Sequence, residues 1–309
     1  MRERKVKEPI VSISKNESEE KSLMECLHNL PLDKIIKEGD RVVITPNWVK
    51  AKLPETATVV GPNTLDTLIQ IVKNYNPLEI IIATGSGGDP TDKVMNYVGY
   101  DKVIEKHNLK FVDLNYGPYI EIELNHEVPS KTKINKLFDE MDVLISFTQL
   151  KVHEEATISA GMKNIALGWP PAEIHGFPKK DLGIHEDLHN FIVAMMEKIP
   201  IDLTIISADK TMVGTGPSSG KAVDTPGLII AGTDPVACDT TGARLLGFLP
   251  QAVHYIYESY KRGLGEGKLE NVRFKGISLK EAEEIFSIKA YNQKVVLDSK
   301  GIKGFHGNQ

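Results

Sequence analysis

The stretch that decides the fold is residues 41–91, which read RVVITPNWVKAKLPETATVVGPNTLDTLIQIVKNYNPLEIIIATGSGGDPT. It opens with an apolar run at Arg41–Thr45 and carries a second at Glu79–Ala83, and each run has the length of a strand. Between them, residues 64–75 repeat apolar side chains at the spacing of one helical face. A strand, an amphipathic helix and another strand predict a right-handed βαβ unit in a parallel sheet.

The same alternation continues outward in both directions. Apolar runs predict further strands at Ile10–Ile13, Lys110–Leu114, Val143–Ser146, Leu203–Ser207 and Gly227–Ala231. Helical spacing recurs at residues 185–198 and at residues 234–247, where an Asp-Pro pair suits the helix start. We therefore expect an α/β fold with an open, mostly parallel, Rossmann-like sheet, helices on both faces, and one or two lobes.

The length of 309 residues allows either one large α/β unit or two lobes. We predict a main α/β domain over residues 1–210, which carries the site. Residues 211–309 are expected to form a smaller C-terminal α/β lobe that completes the same unit. The last residues, Lys300–Gln309, have the character of a loose tail.

Composition excludes several classes of protein. The chain has 37 Lys and Arg against 42 Asp and Glu, so it lacks the basic footprint of a nucleic-acid-binding protein. Its two cysteines, Cys26 and Cys238, cannot ligate an iron–sulfur cluster within this chain. No apolar run approaches the roughly 20 residues of a membrane span, and the charged N-terminus lacks a signal-peptide core. We expect a cytoplasmic protein that binds neither nucleic acid nor membrane.

Ligands of open α/β sheets bind beyond the carboxyl ends of the strands, so the residues after each strand are candidates for the site. The second strand of the βαβ unit leads into a glycine-rich turn whose backbone amides can cradle a carboxylate or a phosphate. A tight turn without a ligand is an equal alternative. The predicted substrate- or anion-binding residues are Asn47, Lys50, Thr84, Gly85, Ser86, Gly87, Gly88 and Asn164.

The densest group of chemically active side chains runs from residue 151 to residue 189, which includes four of the nine histidines. His153 follows a strand directly, and Lys163 lies ten residues further on. Histidine exchanges protons near neutral pH, and lysine serves as a cation, an amine nucleophile or a covalent tether. We predict His153 and Lys163 as catalytic residues. The irregular stretch Gly168–Gly183 is either functional or a connection between lobes.

The letters HEDLH at residues 185–189 match the HExxH pattern of zinc hydrolases. On a helix, the two imidazoles would share one face and could bind a metal ion. The motif lies at a predicted helix start, Asp187 places a charge inside it, and a third ligand is not obvious. The candidate metal ligands are His175, His185 and His189.

Seven motifs together resemble domain of unknown function family 362 (DUF362), in the order of that family. They are VVITPN at residues 42–47, DVLIS at 142–146, KVH at 151–153, TISAGMKN at 157–164, GTGP at 214–217, GTDPVACD at 232–239 and GLG at 263–265. The resemblance implies an α/β fold whose activity is not settled. Members often carry a ferredoxin-like iron–sulfur module, and no such module is found in this sequence.

A more distant resemblance links the chain to the N-terminal domain of the nickel-pincer lactate racemase family. It rests on residues 43–47, residues 82–85 and the spacing of His153 and Lys163. The resemblance implies that His153 is the acid–base histidine, that Lys163 tethers the pincer nucleotide, and that His175 or His185 is a nickel ligand. The implied chemistry is hydride removal from the α-carbon of a 2-hydroxy acid.

Three hypotheses follow. The first is an enzyme that acts on a small anionic carboxylate substrate by His/Lys acid–base or metal-assisted chemistry, with lactate-racemase-like isomerisation as one form. The second is a non-catalytic module that binds a cofactor, a metal or a partner, and the third is an HExxH-type metallohydrolase. The expected cofactor is a divalent metal (Ni or Zn) or a lysine-tethered pincer group, and the expected ligand is a small anion. Assembly into a homo-oligomer is left open.

Overall fold

The structure of the protein is a computed structural model that describes residues 2–297, so the predicted tail Lys300–Gln309 lies outside the described residues. The strands, in chain order, are β1 (Ile10–Lys15), β2 (Arg41–Pro46), β3 (Glu79–Thr84), β4 (Lys110–Asp113), β5 (Tyr119–Glu123), β6 (Lys131–Asn135), β7 (Val143–His153), β8 (Thr157–Ser159), β9 (Leu203–Val213), β10 (Lys221–Asp224), β11 (Leu228–Gly232) and β12 (Arg273–Gly276). The helices are α1 (Glu19–His28), α2 (Leu32–Ile35), α3 (Pro62–Lys73), α4 (Thr91–Val98), α5 (Tyr100–His107), α6 (Leu137–Glu140), α7 (Gly161–Gly168), α8 (Ala172–His175), α9 (Leu188–Lys198), α10 (Pro235–Leu245), α11 (His254–Lys261) and α12 (Leu279–Tyr291). Within residues 2–297, no helix has both the length and the apolar character needed to cross a membrane.

One large sheet organises the molecule, with the strand order β12-β1-β11-β9-β7-β2-β3-β4. The pairs from β9 through β7, β2 and β3 to β4 are all parallel. Strand β11 runs antiparallel to both of its neighbours, β9 and β1. Strands β8 and β10 add to β7 and β9, while β5 and β6 form a separate two-stranded sheet. The predicted α/β fold with a mostly parallel, Rossmann-like sheet is therefore confirmed.

All seven strands predicted from apolar runs are present, with shifted ends. The largest shift is in β7, which continues from the apolar run through to His153. The helix predicted over residues 234–247 is α10, and the carboxylate of Asp234 accepts the amide hydrogen of Ala237 at its start. The helix predicted over residues 185–198 begins only at Leu188, so the HExxH letters do not lie on one helix.

Strand β2 shows why these runs are continuously apolar. Val42 and Ile44 pack into the core beneath α1 and α3, while Val43 packs into the core beneath α7 and α9 on the opposite face. Because helices cover both faces of the sheet, side chains pointing either way from a central strand are buried. This removes the alternation of polar and apolar residues that a half-exposed strand would show.

The order of the strands places a crevice between β2 and β7. From β2 the chain adds β3 and β4 on one side, and it later returns to add β7 and β9 on the other. The connections that leave the carboxyl ends of β2 and β7 therefore diverge, which is the usual position for a ligand in an open α/β sheet. The division predicted at residues 210 and 211 falls inside β9, so both parts contribute strands to one sheet.

Candidate functional site

A cavity of about 330 Å³ lies at this crevice. Its walls come from the turns after β2 and β3, the end of β7, helix α7, and part of the irregular stretch after that helix. It brings together residues that are far apart in sequence. The predicted site residues that line it are Asn47, Lys50, Thr84, Gly85, Gly87, Gly88, His153, Lys163, Asn164 and His185. Ser86, His175 and His189 do not line it.

The glycine-rich turn after β3 forms one wall. A Cβ atom on Gly85 would lie 2.9 Å from both the Gly168 carbonyl oxygen and Lys179 Nζ, so only glycine fits at this close approach. The Ser86 hydroxyl faces away from the cavity and donates to the Val49 carbonyl at 2.8 Å. Among the described residues, the amides of Gly85, Gly87 and Gly88 have no hydrogen-bond acceptor. These three amides are available to a ligand.

Two of the predicted anion-binding side chains, Asn47 and Thr84, are already engaged in hydrogen bonds within the protein. Asn47 Oδ1 accepts the amide hydrogens of Val60 and Gln149, each at 3.1 Å, and its Nδ2 donates to a backbone carbonyl. The Thr84 hydroxyl donates to the Pro46 carbonyl at 3.0 Å. Both residues therefore hold the strand ends and turns around the cavity in place, and they offer a ligand few further hydrogen bonds.

Helix α7 is anchored at its first turn by a buried carboxylate from α10. Asp239 accepts the amide hydrogens of Gly161 at 2.8 Å and Met162 at 3.1 Å, and the Tyr255 hydroxyl donates to it at 3.0 Å. Burial raises the pKa of Asp239 to about 7 against the effect of these hydrogen bonds. A carboxylate at this position satisfies free amides of the helix start and interacts favourably with the helix dipole. It thereby fixes the helix that carries Lys163.

Lys163 and Asn164 are adjacent on α7 and differ sharply in their surroundings. Asn164 Nδ2 donates to the Thr45 carbonyl at 2.8 Å and to Ser146 Oγ at 3.1 Å, so it joins α7 to strands β2 and β7. The side chain of Lys163 is only 9% exposed and reaches the cavity. In residues 2–297 its ammonium group has neither a hydrogen-bond acceptor nor an ion-pair partner. Burial lowers the pKa of Lys163 to about 8.

Two further buried lysines line the cavity, and neither was predicted as a site residue. Lys151 Nζ donates to the Thr58 carbonyl at 3.0 Å, and burial together with the charge of Lys163 lowers the pKa of Lys151 to about 7. The Lys151-Val152-His153 motif could have pointed to it, because alternate residues of a strand face the same side.

Lys179 comes from the irregular stretch after α7 and acts as a clamp. Its Nζ donates to the carbonyls of Gly85 at 2.8 Å, Leu167 at 3.0 Å and Gly168 at 3.3 Å. An ammonium group has three hydrogens, so these bonds use all of its donors. Burial lowers the pKa of Lys179 to about 7. The side chain joins the glycine turn to the end of α7, which is how the irregular stretch reaches the cavity.

His153 is held in one tautomer. Its Nδ1 accepts the amide hydrogens of Glu155 at 3.1 Å and Ala156 at 3.2 Å. A backbone amide can only donate, so Nδ1 carries the lone pair and Nε2 carries the hydrogen of the neutral ring. Burial, followed by the charges of Lys163 and Lys151, keeps the pKa of His153 far below its usual range. In this geometry His153 offers a hydrogen bond from Nε2.

His185 reaches the cavity from the turn before α9. Its Nδ1 lies 2.6 Å from Glu155 Oε2, and Lys180 Nζ lies 3.0 Å from the other oxygen of the same carboxylate. Burial lowers the pKa of His185, and the hydrogen bond to Glu155 opposes that shift. The carboxylate thus orients the ring. Sequence spacing gave no indication of this contact.

The other two candidate metal ligands are engaged elsewhere. His175 is buried, with Nε2 2.7 Å from Thr132 Oγ1 and Nδ1 3.2 Å from the Asp181 carbonyl. His189 Nδ1 accepts the Tyr255 amide hydrogen at 3.2 Å, and its ring stacks on that tyrosine. Across the described part of the chain, no group of three His, Cys, Asp or Glu side chains is arranged to hold a metal ion.

Comparison with known proteins adds three observations. The family model described as domain of unknown function (DUF362) matches residues 42–244. A thylakoid-associated protein of Synechocystis sp. is 24% identical over 234 residues, which are 74% of this chain and 70% of that protein. The lactate racemase apoprotein from Thermoanaerobacterium thermosaccharolyticum is 22% identical, with a TM-score of 0.43 over 77% of this chain. This chain spans 57% of the length of that racemase.

The family match includes the parallel core strands β2, β3, β4, β7 and β9, helix α7 and most of the cavity. It extends over more than half of the chain and includes six of the seven motifs from which the resemblance was drawn, while the GLG motif at residues 263–265 lies beyond it. The chain belongs to the DUF362 family.

Proposed function

We propose that the protein is an enzyme that binds a small carboxylate-bearing molecule in this cavity and exchanges a proton with it. One observation carries the proposal. Lys151, Lys163 and Lys179 are all buried around the cavity, and none of them has a carboxylate within ion-pair distance in the described residues. The cavity-lining carboxylate of Glu155 pairs instead with Lys180 and His185.

Burying an ammonium group without a counterion is unfavourable, and the group responds by losing its proton or by gaining an anion. The lowered pKa values of Lys151 and Lys163, about 7 and about 8, reflect the first response in the absence of a ligand. A bound carboxylate would supply the missing counterion and restore the charged form. The cavity is therefore matched to an anion by its charge as well as by its free backbone amides.

The proposed proton exchange involves Lys163. An amine with a pKa of about 8 holds and releases a proton near neutral pH, which suits general acid–base catalysis. His153 would donate an Nε2 hydrogen bond to an oxygen of the ligand and stabilise negative charge there. In this proposal His153 acts in catalysis as a hydrogen-bond donor, and Lys163 is the group that transfers the proton.

A lactate-racemase-like reaction is an alternative to proton exchange by Lys163, because Lys163 would then tether the cofactor and the α-carbon would lose a hydride. The tethered pincer group would require an unpaired lysine in the cavity, and Lys163 meets that requirement. Of the two histidines considered as nickel ligands, only His185 lines the cavity. Such a group, when bound, supplies a hydride acceptor for the α-carbon of a 2-hydroxy acid. Intact-protein mass spectrometry after growth with added nickel tests this form. An unmodified mass would exclude a lysine-tethered cofactor.

The broader proposal is tested by incubating the protein with L-lactate and with D-glycerate in D2O. Calorimetry should detect binding, and proton NMR should show deuterium entering the ligand at a rate that depends on Lys163. Lys163→Met should abolish exchange, whereas Lys221→Met, an exposed lysine of β10, should not change it. Binding without exchange would favour the non-catalytic module. Absence of binding by every carboxylate would overturn the proposal.

A further inference from the structure

We propose that the ligand of this cavity carries two anionic groups: a carboxylate bound by Lys151, Lys163 and His153, and a phosphoryl group bound by the glycine turn. The inference rests on the proposed function and specifies its substrate class, a phosphorylated carboxylic acid. It follows from counting the unused hydrogen-bond donors and the uncompensated charges around the cavity.

The first group of donors lies at the end of β7 and on α7. Lys163 Nζ has no acceptor among the described residues, and Lys151 Nζ uses one of its three hydrogens, for the Thr58 carbonyl. His153 adds its Nε2 hydrogen, because its Nδ1 is committed to two backbone amides. All three residues line the same cavity, and the charge of Lys163 acts on both Lys151 and His153. They suit the two oxygens of one carboxylate.

The second group of donors is the glycine turn. The amides of Gly85, Gly87 and Gly88 have no acceptor within residues 2–297, and Lys50 packs directly on the turn. A Cβ atom on Gly88 would lie 2.7 Å from Lys50 Cγ and 3.1 Å from its Cε. Lys179 adds positive charge behind the turn, although its own donors are used. Clustered backbone amides beside lysines suit the three oxygens of a phosphoryl group.

One nearby carboxylate does not compete for these donors. Asp89 Oδ2 accepts the Ala51 amide hydrogen at 3.0 Å, and Asp89 Oδ1 is 3.0 Å from Lys93 Nζ. Its two oxygens are therefore engaged outside the turn. The charge of Lys50 acts on Asp89 without an ion-pair contact between them.

The formal charge around the cavity exceeds what a monocarboxylate can neutralise. Five lysines line the cavity (Lys50, Lys151, Lys163, Lys179 and Lys180) against two glutamates, Glu154 and Glu155, which is a formal excess of three positive charges. A phosphate monoester carries about −1.5 to −2 at neutral pH, so together with a carboxylate it offsets about that excess.

The test compares four probes by calorimetry at pH 7: D-glycerate, glycerol 3-phosphate, 3-phospho-D-glycerate and inorganic phosphate. We expect 3-phosphoglycerate to bind at least 100-fold more tightly than either single-anion organic probe. Equal affinity for glycerate and 3-phosphoglycerate would overturn the inference and leave the proposed function intact. Equal affinity for inorganic phosphate and 3-phosphoglycerate would also overturn it. Failure of all four probes to bind would overturn the proposed function itself.

Two variants locate the two anionic groups. Lys50→Met should weaken glycerol 3-phosphate binding about tenfold or more and leave glycerate binding unchanged, because one charge-assisted contact is lost. Lys163→Met should weaken glycerate binding about tenfold or more and leave glycerol 3-phosphate binding unchanged. Lys221→Met, at an exposed lysine of β10, is the matched control. If both variants weakened both single-anion probes equally, the two-group arrangement would be wrong. Lys50 is partly exposed, so its variant tests the phosphoryl site independently of the buried Lys163.

Discussion

Buried cations occur in two different settings in this molecule. Arg244 on α10 is paired with Glu283 on α12 at 2.7 Å, and the two side chains are only 4% and 2% exposed. The partly buried Arg4 is paired with the buried Asp234 at 2.9 Å. At the cavity, by contrast, the chain buries Lys151 and Lys163 with no carboxylate within ion-pair distance of either lysine among the described residues. The fold thus provides counterions where charge has a structural role and omits them where a ligand is expected.

This difference implies opposite responses to mutation. Removing the carboxylate of a buried ion pair leaves a buried positive charge without a partner and destabilises the fold. Removing a buried lysine that has no counterion relieves a desolvation penalty and stabilises the fold at the expense of ligand binding. Stability should therefore fall in the first setting, whereas in the second setting stability should rise while ligand affinity falls.

The largest expected effect is in the paired setting. Glu283→Ala should lower the free energy of unfolding by about 3–5 kcal/mol, because the guanidinium of Arg244 loses its carboxylate inside the protein. Urea unfolding measures this. Glu281→Gln, on the exposed side of the same helix, is the control and should change stability by less than about 0.5 kcal/mol. A loss of under about 1 kcal/mol for Glu283→Ala would mean that the comparison of the two settings is false.

The next effect has the opposite sign. Lys163→Met should raise the free energy of unfolding at pH 7 by up to about 3 kcal/mol, since burial lowers the pKa of Lys163 from 10.5 to about 8 and each unit is worth about 1.36 kcal/mol. Methionine keeps the length of the side chain without its charge. Thermal and urea unfolding of the ligand-free protein measure the change.

Lys221→Met on exposed β10 is the control for this substitution, and we expect its stability to stay within about 0.5 kcal/mol of the parent. If Lys163→Met lowered stability instead, Lys163 would have a stabilising partner. Its description as an uncompensated cation would then be incorrect.

The third prediction concerns pH. The folded-state pKa of Lys163, about 8, lies below its unfolded value of 10.5, so the unfolded chain binds more protons between these values. The free energy of unfolding should therefore rise with pH across this window, and the rise should be smaller in Lys163→Met. Glycerate affinity should move the other way and fall at least about tenfold from pH 7 to pH 9, because Lys163 and Lys151 both lose their protons and neutral amines bind anions poorly. Calorimetry in matched buffers would contradict the assignment if glycerate affinity stayed constant.

The parallel core of the fold was predictable because its strands are buried on both faces. Runs such as Val143–Ser146 are almost entirely apolar, and this pattern can be recognised in the sequence without any knowledge of tertiary contacts. Strands that lie outside this core lacked the signal. Strand β5 contains only partly exposed and exposed residues, and β12 is a short edge strand with the sequence RFKG. Both depend on their pairing partners, which one sequence does not reveal.

The site was predictable only in part, for a similar reason. The glycine turn, His153 and Lys163 follow strand ends or sit in dense motifs, so position along the chain was enough to suggest them. Lys179 was missed because its role consists of contacts to carbonyls up to 94 residues away. The surroundings of each group also decide its chemistry. The backbone amides that fix His153 as a donor are visible only in the folded chain.

The smallest expected effect lies at the rim of the cavity. Lys180 and Glu155 form an ion pair of 3.0 Å, but their side chains are 53% and 41% exposed, so water screens the interaction. Lys180→Met should therefore change the free energy of unfolding by less than about 0.5 kcal/mol, even though Lys180 lies on the same wall as the buried Lys179. Urea unfolding of the Lys180→Met and Lys163→Met variants side by side compares their free energies of unfolding directly. A stabilisation as large as that of Lys163→Met would show that position at the cavity, and not burial without a counterion, determines the effect of these lysines on stability.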